Sequence, residues 1–489
     1  MVKSIHISYR RIVKYISKNY LNIINEKNNS LAFSITIFLL LSIPSLIVWL
    51  ISYPGFLQAD HQSTIAGIAV GNPSQWHSLL WGFFAYIFIY LSPSYGLYGL
   101  VQICFFSICT YYAIDFFLKE KIINGKGAMA LSLFFGLCPT FFLYNLLYSS
   151  DIIFAISLIP LIIFLIKIDQ SEGNILTNII FDLEFISLTL ILVELRKNAL
   201  LIPFLLFFIF IFKYPKVRGR VLFIFISIFL LFGIISFLLS YGLNAQKSPS
   251  QELLSVPAQQ IARTFRDNGT IPTREWDNLT KIRSADEWKN SYIANTADPE
   301  KSGLSLSLTF IHDWIVLGWH NPRIYWYAYR DLMSPYWQLS DGSDPLIQLD
   351  FTNSPAFTTT VCKSSCRKEY ISQMTAKQSP RQIQISLLRT RVNDWKMPIV
   401  TDLYNLVFFN RAFPLIFLLV SLGIAITRKF ARSFMLITLP LIAVMASLLL
   451  FSPVSSFRYA IQIYYSIPLI IIWMIFRMNQ SKRGGRLVY

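Results

Sequence analysis

Trp76-His77-Ser78-Leu79-Leu80-Trp81-Gly82-Phe83-Phe84-Ala85-Tyr86-Ile87-Phe88-Ile89-Tyr90-Leu91-Ser92 is the stretch on which the topology of this chain turns. It is one of eleven apolar runs, the others lying at about 31–52, 95–117, 127–146, 151–167, 177–193, 198–213, 220–241, 411–427, 433–451 and 459–476. If all eleven cross a bilayer, four basic clusters fall on the outer side: Lys119/Lys121/Lys126, Lys213/Lys216/Arg218/Arg220, Arg428/Lys429/Arg432 and Lys482/Arg483/Arg486. That reverses the bias of Lys and Arg toward the cytoplasm four times over. If the run at 76–92 instead lies in the outer interface or re-enters, every cluster returns to the cytoplasm. The run is short, aromatic and opens on Trp76-His77, as an interfacial helix does. The expected fold is therefore an all-α polytopic membrane protein of about ten transmembrane helices, each near the 17–25 residues a bilayer requires, with both termini inside.

Composition agrees. The chain has 489 residues, 54% of them hydrophobic, and a mean hydropathy of +0.50. Its formal charge of +17 lies mainly in short segments between apolar runs, so it sets orientation and does not indicate nucleic acid. The basic N-terminal segment (Lys3, Arg10, Arg11, Lys14, Lys18, Lys27) precedes a run too long for a signal sequence, and no small-x-small cleavage site follows. An uncleaved first helix is expected.

The division that follows is a transmembrane module over 1–242 with a first external loop at 53–93, an external domain over 243–402, and a second transmembrane module over 403–489. The external interval is rich in Trp and Tyr and long enough to fold. Cys362 and Cys366 on this side suggest a disulfide in an oxidising compartment, whereas Cys104, Cys109 and Cys138 read as packing residues. No His neighbours the Cys pair in sequence, which argues against a metal there.

Polar residues gather at the external ends of the spans. Asp60 and His61 follow Tyr53-Pro54-Gly55 in the first loop, and Asp151 opens the run at 151–167. Arg196 and Lys197 follow the run at 177–193, and Arg458 precedes the last. Charged groups near hydrocarbon are costly and tend to be kept for function. Carboxylates and cations at this depth suit a sugar held on a polyprenyl phosphate. Arg and Lys would hold the phosphate as it leaves, and a carboxylate would take the proton of the attacking hydroxyl. Plainer readings stand beside this one. Asp60 and Asp151 could cap helices, Arg196, Lys197 and Arg458 could snorkel to head groups, and His61 and His77 could be structural.

These residues resemble the GT-C superfamily of membrane glycosyltransferases: an Asp after Pro-Gly in the first external loop, a later Trp-His before an apolar stretch, and Asp151 opening a span. Further segments are similar to a bacterial subgroup, namely Leu195-Arg196-Lys197-Asn198, Val256-Pro257-Ala258-Gln259-Gln260-Ile261-Ala262-Arg263, His320-Asn321-Pro322-Arg323-Ile324-Tyr325-Trp326-Tyr327-Ala328-Tyr329, Pro335-Tyr336-Trp337 and Phe457-Arg458-Tyr459. Length and the single large external loop are also similar to phage-encoded O-antigen glucosyltransferases that change serotype. The resemblance implies inverting transfer of a sugar, glucose for the narrower match, from an undecaprenyl-phosphate donor to O-antigen of lipopolysaccharide at the bacterial inner membrane. Asp60 would be the base and Asp151 the second acid, with Arg196, Lys197 and Arg458 on the donor phosphate. His61, Trp76, His77, Gln260, Arg263 and Tyr325 would contact substrate.

The chain departs from the superfamily at His77-Ser78-Leu79, where His-Pro-Pro is usual, and it has no Asp-x-Asp pair in the first loop. A metal-free mechanism is therefore expected, although the pattern stays compatible with a divalent ion. Gln260 and Arg263 could instead belong to an amphipathic helix, and the aromatic run at 325–337 could be a sugar platform or the core of the external domain. A polymerase of O-antigen or a flippase of lipid-linked oligosaccharide are the rival functions. A flippase would place ionisable groups near mid-membrane, but here the runs are clean in the middle.

Overall fold

The computed structural model describes residues 31–51, 55–57, 59–91, 96–248, 250–339, 403 and 406–482. Cys362 and Cys366 lie outside them, so the expected disulfide does too. The described chain is helical apart from β1 (Phe56–Leu57) and β2 (Leu147–Tyr148), which pair in parallel. Among the described residues six helices are long and apolar enough to span a membrane: Leu31–Leu50, Gly96–Lys119, Ser150–Gln170, Pro215–Gly242, Ala431–Phe451 and Phe457–Gln480. The chain is a multi-pass helical membrane protein.

The N-terminal module runs through α1 (Leu31–Ile51), α2 (Ala59–Ala69), α3 (Leu79–Leu91), α4 (Gly96–Lys119), α5 (Gly125–Leu137), α6 (Pro139–Tyr144), α7 (Ser150–Gln170), α8 (Ile179–Leu195), α9 (Leu201–Lys213) and α10 (Arg218–Gly242). Two of these helices are apolar on every side and meet opposite fates. α7 forms the axis of the bundle, with almost all its residues buried, whereas α10 turns Leu230, Phe237 and Tyr241 outward. Lipid tails solvate a leucine as well as another helix does, so apolar composition alone does not choose between these fates. Buried polar groups tie other parts of the bundle together. Asn145, fully buried, donates to Ser45 and accepts from Tyr465, while Gln102 donates to the Asn145 and Leu147 carbonyls. Such groups are satisfied only inside the bundle.

The run at 76–92 becomes the 13-residue α3, which begins at Leu79 and not at Trp76. The Ser78 hydroxyl accepts the Trp81 N–H at 3.0 Å, capping the helix, so Trp76 and His77 lie in the turn before it. At about 1.5 Å per residue α3 is shorter than the hydrocarbon core, but so are α5 and α9.

Residues 250–339 form a unit with its own core. It contains α11 (Ser255–Arg266), α12 (Thr273–Ile282), α13 (Ala285–Ser291), α14 (Asp298–Lys301), α15 (Leu308–His320) and α16 (Pro322–Met333), packed around Ile261, Phe265, Leu279, Trp288 and Leu317. The chain then re-enters the bundle as α17 (Phe413–Thr427), α18 (Ala431–Phe451), α19 (Phe457–Tyr464) and α20 (Ile467–Lys482). The basic cluster at 213–220 pairs at one end of the bundle, Lys213 with Asp169 at 2.6 Å and Arg220 with Asp182 at 3.4 Å. Asp151, Arg196 and Arg458 lie at the opposite helix ends.

Candidate functional site

Two glycines and a two-residue ladder bring the first loop to α7. Gly55 has φ +98°, a region glycine enters freely, and a Cβ on it or on Gly99 of α4 would overlap the Tyr148 phenol. The chain thus passes Tyr148 closely on both sides, and Phe56 and Leu57 pair with Leu147 and Tyr148. α2 starts two residues beyond β1, and α7 two residues beyond β2. Their first turns, which carry Asp60 and Asp151, are therefore set side by side. Ser149, not Asp151, caps α7, its hydroxyl accepting the Ile152 N–H. Asp60 sits inside the first turn of α2, where the positive end of the helix favours a carboxylate.

Arg458, in the first turn of α19, lies between the two carboxylates. Its Nη1 donates to Asp60 Oδ2 at 2.9 Å, its Nε stands 3.6 Å from Asp151 Oδ2, and its Nη2 donates to the Tyr459 hydroxyl at 2.6 Å. Arg196, the residue that follows α8, donates from Nη1 to Asp151 Oδ1 at 2.6 Å. Both guanidinium groups approach the Tyr459 ring, at 4.6 and 5.5 Å from its centroid. Two carboxylates and two guanidinium groups balance each other in charge. Burial pushes the Asp60 carboxyl up, but Arg458 outweighs it and holds the group below the usual carboxylate range.

An aromatic layer backs this quartet. His61 is buried, with Nε2 2.9 Å from Ser150 Oγ, its ring stacked 5.1 Å from His77 and edge-on 4.7 Å from Trp81. Trp76 stacks on His77 at 4.8 Å, and Trp81 donates to the Tyr98 hydroxyl at 2.7 Å. Burial lowers the affinity of both imidazoles for a proton, His61 most strongly, so both rings are neutral near pH 7. Among the described residues His61 Nδ1 and His77 Nε2 have no hydrogen-bond partner. These buried polar atoms are suited to receive a ligand group.

Two clamps from beyond the bundle helices steady the layer. Gln246, just past α10, exchanges backbone hydrogen bonds with the turn that carries Trp76 and His77, through Pro73 and Gln75. Ala297, in the 250–339 unit, donates to the Pro453 carbonyl at 2.7 Å and so holds the segment leading into Arg458. Arg411 donates to the Ser455 carbonyl in the same segment.

Of the residues expected from sequence, Asp60, His61, Trp76, His77, Asp151, Arg196 and Arg458 come together. Lys197 does not join them: its ammonium donates to the Gln75 carbonyl at 2.7 Å. Gln260 and Tyr325 line a separate cleft of about 440 Å³ with Trp314, Trp326 and Tyr329. There Gln260 accepts from Trp314 Nε1 at 2.7 Å, and the Tyr325 hydroxyl donates to the Trp314 carbonyl at 2.7 Å. Arg263 instead pairs with Asp267 and Asp331 and donates to the Tyr292 hydroxyl. Sequence reasoning assigned no role to Ser150, Tyr459, Trp81 or Tyr148. Ser150 and Tyr459 are chain neighbours of Asp151 and Arg458, which was the available signal, whereas Tyr148 becomes visible only through Gly55 and Gly99.

Residues 75–486 match the family described as DUF6020, a family of unknown function, and the chain belongs to it. No curated protein and no solved structure matches the chain.

Proposed function

We propose that this protein transfers a sugar, with inversion, from a polyprenyl-phosphate donor to a glycan acceptor, with Asp60 as general base. In this reading the fold is GT-C-like, with about ten spans and α3 in the outer interface. The protein lies in a bacterial inner membrane with both termini cytoplasmic, and the quartet faces the periplasm. Undecaprenyl-phosphate glucose and O-antigen of lipopolysaccharide are the donor and acceptor proposed. The observation that carries it is the convergence of Asp60 and Asp151 on one guanidinium, Arg458, with Arg196 alongside, at one end of the bundle.

The chemistry needs both signs of charge. The acceptor oxygen attacks the anomeric carbon, and its proton passes to Asp60. The bond from that carbon to the phosphate oxygen breaks, and the electron pair leaves with the polyprenyl phosphate. Arg196 and Arg458 stabilise the charge that gathers there. Asp151 holds both guanidinium groups, and the donor phosphate displaces Asp60 from Arg458 so that the carboxylate can turn to the acceptor. Both Asp151 oxygens face guanidinium groups, and the step is written with Arg196 and Arg458 as the phosphate's counter-charges and without a metal. The Gln260 and Tyr325 cleft offers aromatic faces of the kind that pack against pyranose rings.

The direct test uses purified protein in vesicles with polyprenyl-phosphate glucose and a glycan acceptor, reading release of polyprenyl phosphate. Asp60→Asn should lower turnover by about 10²–10⁴-fold, the usual worth of general-base catalysis, without loss of folded protein. Turnover near the parent level would remove Asp60 as base. Surface polysaccharide from cells with and without the protein should differ by a branch residue; a change in chain length alone would favour a polymerase.

A further inference from the structure

The extramembrane unit holds a second cluster that sugar transfer leaves unused. Glu275 lies in the first turn of α12, and His312 and Asp313 are successive residues of α15. Glu275 and Asp313 are 5% and 0% exposed, whereas His312 opens to solvent. His312 Nδ1 stands 3.4 Å from Asp313 Oδ1 and 3.9 Å from Glu275 Oε1, and one donor atom from each of the three lies within 4.8 Å of the others. Asn278, one turn beyond Glu275, contacts Asp313 Oδ1 at 3.3 Å.

Two features point to a cation. Asp313 Oδ2 is buried with no hydrogen-bond partner among the described residues. Among those residues, too, neither carboxylate has a Lys or Arg in ion-pair contact, and His312 is the basic side chain that faces them. Two carboxylates withdrawn from water without a fixed positive charge are strongly unfavourable, and buried charges of this kind are usually paired or coordinate a metal.

We propose that Glu275, His312 and Asp313 bind a divalent transition-metal ion, zinc being the best match to the donors. Imidazole with carboxylates suits zinc, whereas calcium and magnesium take oxygen ligands. Bonds of about 2.0–2.2 Å to a tetrahedral ion place its donors about 3.4 Å apart, the separation already held by His312 and Asp313. The fourth position falls to Asn278 Oδ1, if the amide is turned over, or to water entering beside His312. The ion would pin α12 to α15, whose Trp314, next to Asp313, donates to Gln260 in the aromatic cleft. The inference is independent of the sugar-transfer reading.

Purified full-length protein, loaded with zinc and dialysed, should retain one equivalent by mass spectrometry, and a chelator should remove it and lower the melting temperature. His312→Ala, at an accessible position, should weaken zinc binding at least tenfold while leaving the metal-free melting temperature unchanged. Two results would overturn the site: retention of the zinc equivalent by His312→Ala with unaltered affinity, or no zinc retained by the parent protein. Binding of calcium in preference to zinc would also exclude the imidazole as a ligand.

Discussion

Asp151→Asn should separate what holds the quartet together from what does its chemistry. Asp151 has a side chain only 7% exposed and serves Arg196 at 2.6 Å and Arg458 at 3.6 Å. At an effective dielectric of about 20, these two contacts correspond to gross attractions of about 6 and 5 kcal/mol, offset in large part by desolvation of the ions. Removing the charge leaves two guanidinium groups facing one ring and each other. The expected loss is about 3–5 kcal/mol, toward the lower end because asparagine keeps the volume and one acceptor. Asp60→Asn should behave oppositely. The Asp60 side chain is 37% exposed, so water screens its pair with Arg458 and the stability cost should stay below about 1 kcal/mol. Denaturant unfolding in mild detergent, followed by tryptophan fluorescence, measures both losses. A double-mutant cycle of Asp151→Asn with Arg196→Gln isolates the pair. Equal destabilisation by the two Asp→Asn changes, or a coupling energy within about 0.5 kcal/mol of zero, would refute the assignment of Asp151 as the structural pivot.

Other perturbations address the supports and the titrating groups. Gly99→Ala forces a methyl into the Tyr148 phenol and should cost about 1–3 kcal/mol as an overpacked site, read by thermal melting; an unchanged melting temperature would mean that Tyr148 does not hold this close approach. Burial pushes the Glu300 carboxyl up to about 7 from about 4.5. A raised acid binds its proton more tightly when folded, so the stability it confers is complete below about pH 4.5 and is lost as pH rises through about 7. Glu300→Gln should flatten that fall, on the order of 3 kcal/mol, in pH-dependent unfolding of the protein. His61 runs the other way: burial holds its imidazole neutral, so the stability it confers is present above about pH 6.5 and is lost as pH falls toward its lower folded value. His61→Gln should remove that acid sensitivity, and an identical acid limb in the variant would show that His61 does not titrate on unfolding.

Much of the architecture was legible in residue order, because a bilayer admits few solutions for a long apolar run. The described runs became helices, Lys213 and Arg220 paired with carboxylates at one end of the bundle, and Asp60, Asp151, Arg196 and Arg458 met at the other. The start of α3 was misplaced, because the apolar count put it at Trp76 and gave no weight to Ser78, which caps the helix at Leu79. Neighbouring residues are where sequence reasoning lost resolution. Arg196 and Lys197 looked equivalent, yet the backbone at Arg196 is extended, with φ −146° and ψ 117°, before a 3₁₀ turn. That break sends one side chain to Asp151 and the next to Gln75. Gln260 and Arg263 share one face of α11, where periodicity cannot part them, yet Gln260 meets Trp314 and Arg263 meets two carboxylates.

Local chemistry in this chain follows from short-range rules: which segments prefer lipid, which residues cap helices, which groups cannot be left bare near hydrocarbon. Those rules were enough to select Asp60, Asp151, Arg196 and Arg458 as candidates. Pairing is a different matter, because Asp60 meets Arg458 across a separation of 398 residues. That meeting requires the close passage of Gly55 and Gly99 at Tyr148, the β1–β2 ladder, and the clamp of the 250–339 unit on Pro453. None of these long-range contacts has a local signature, since each depends on shape and on free energy gained only when the elements have packed.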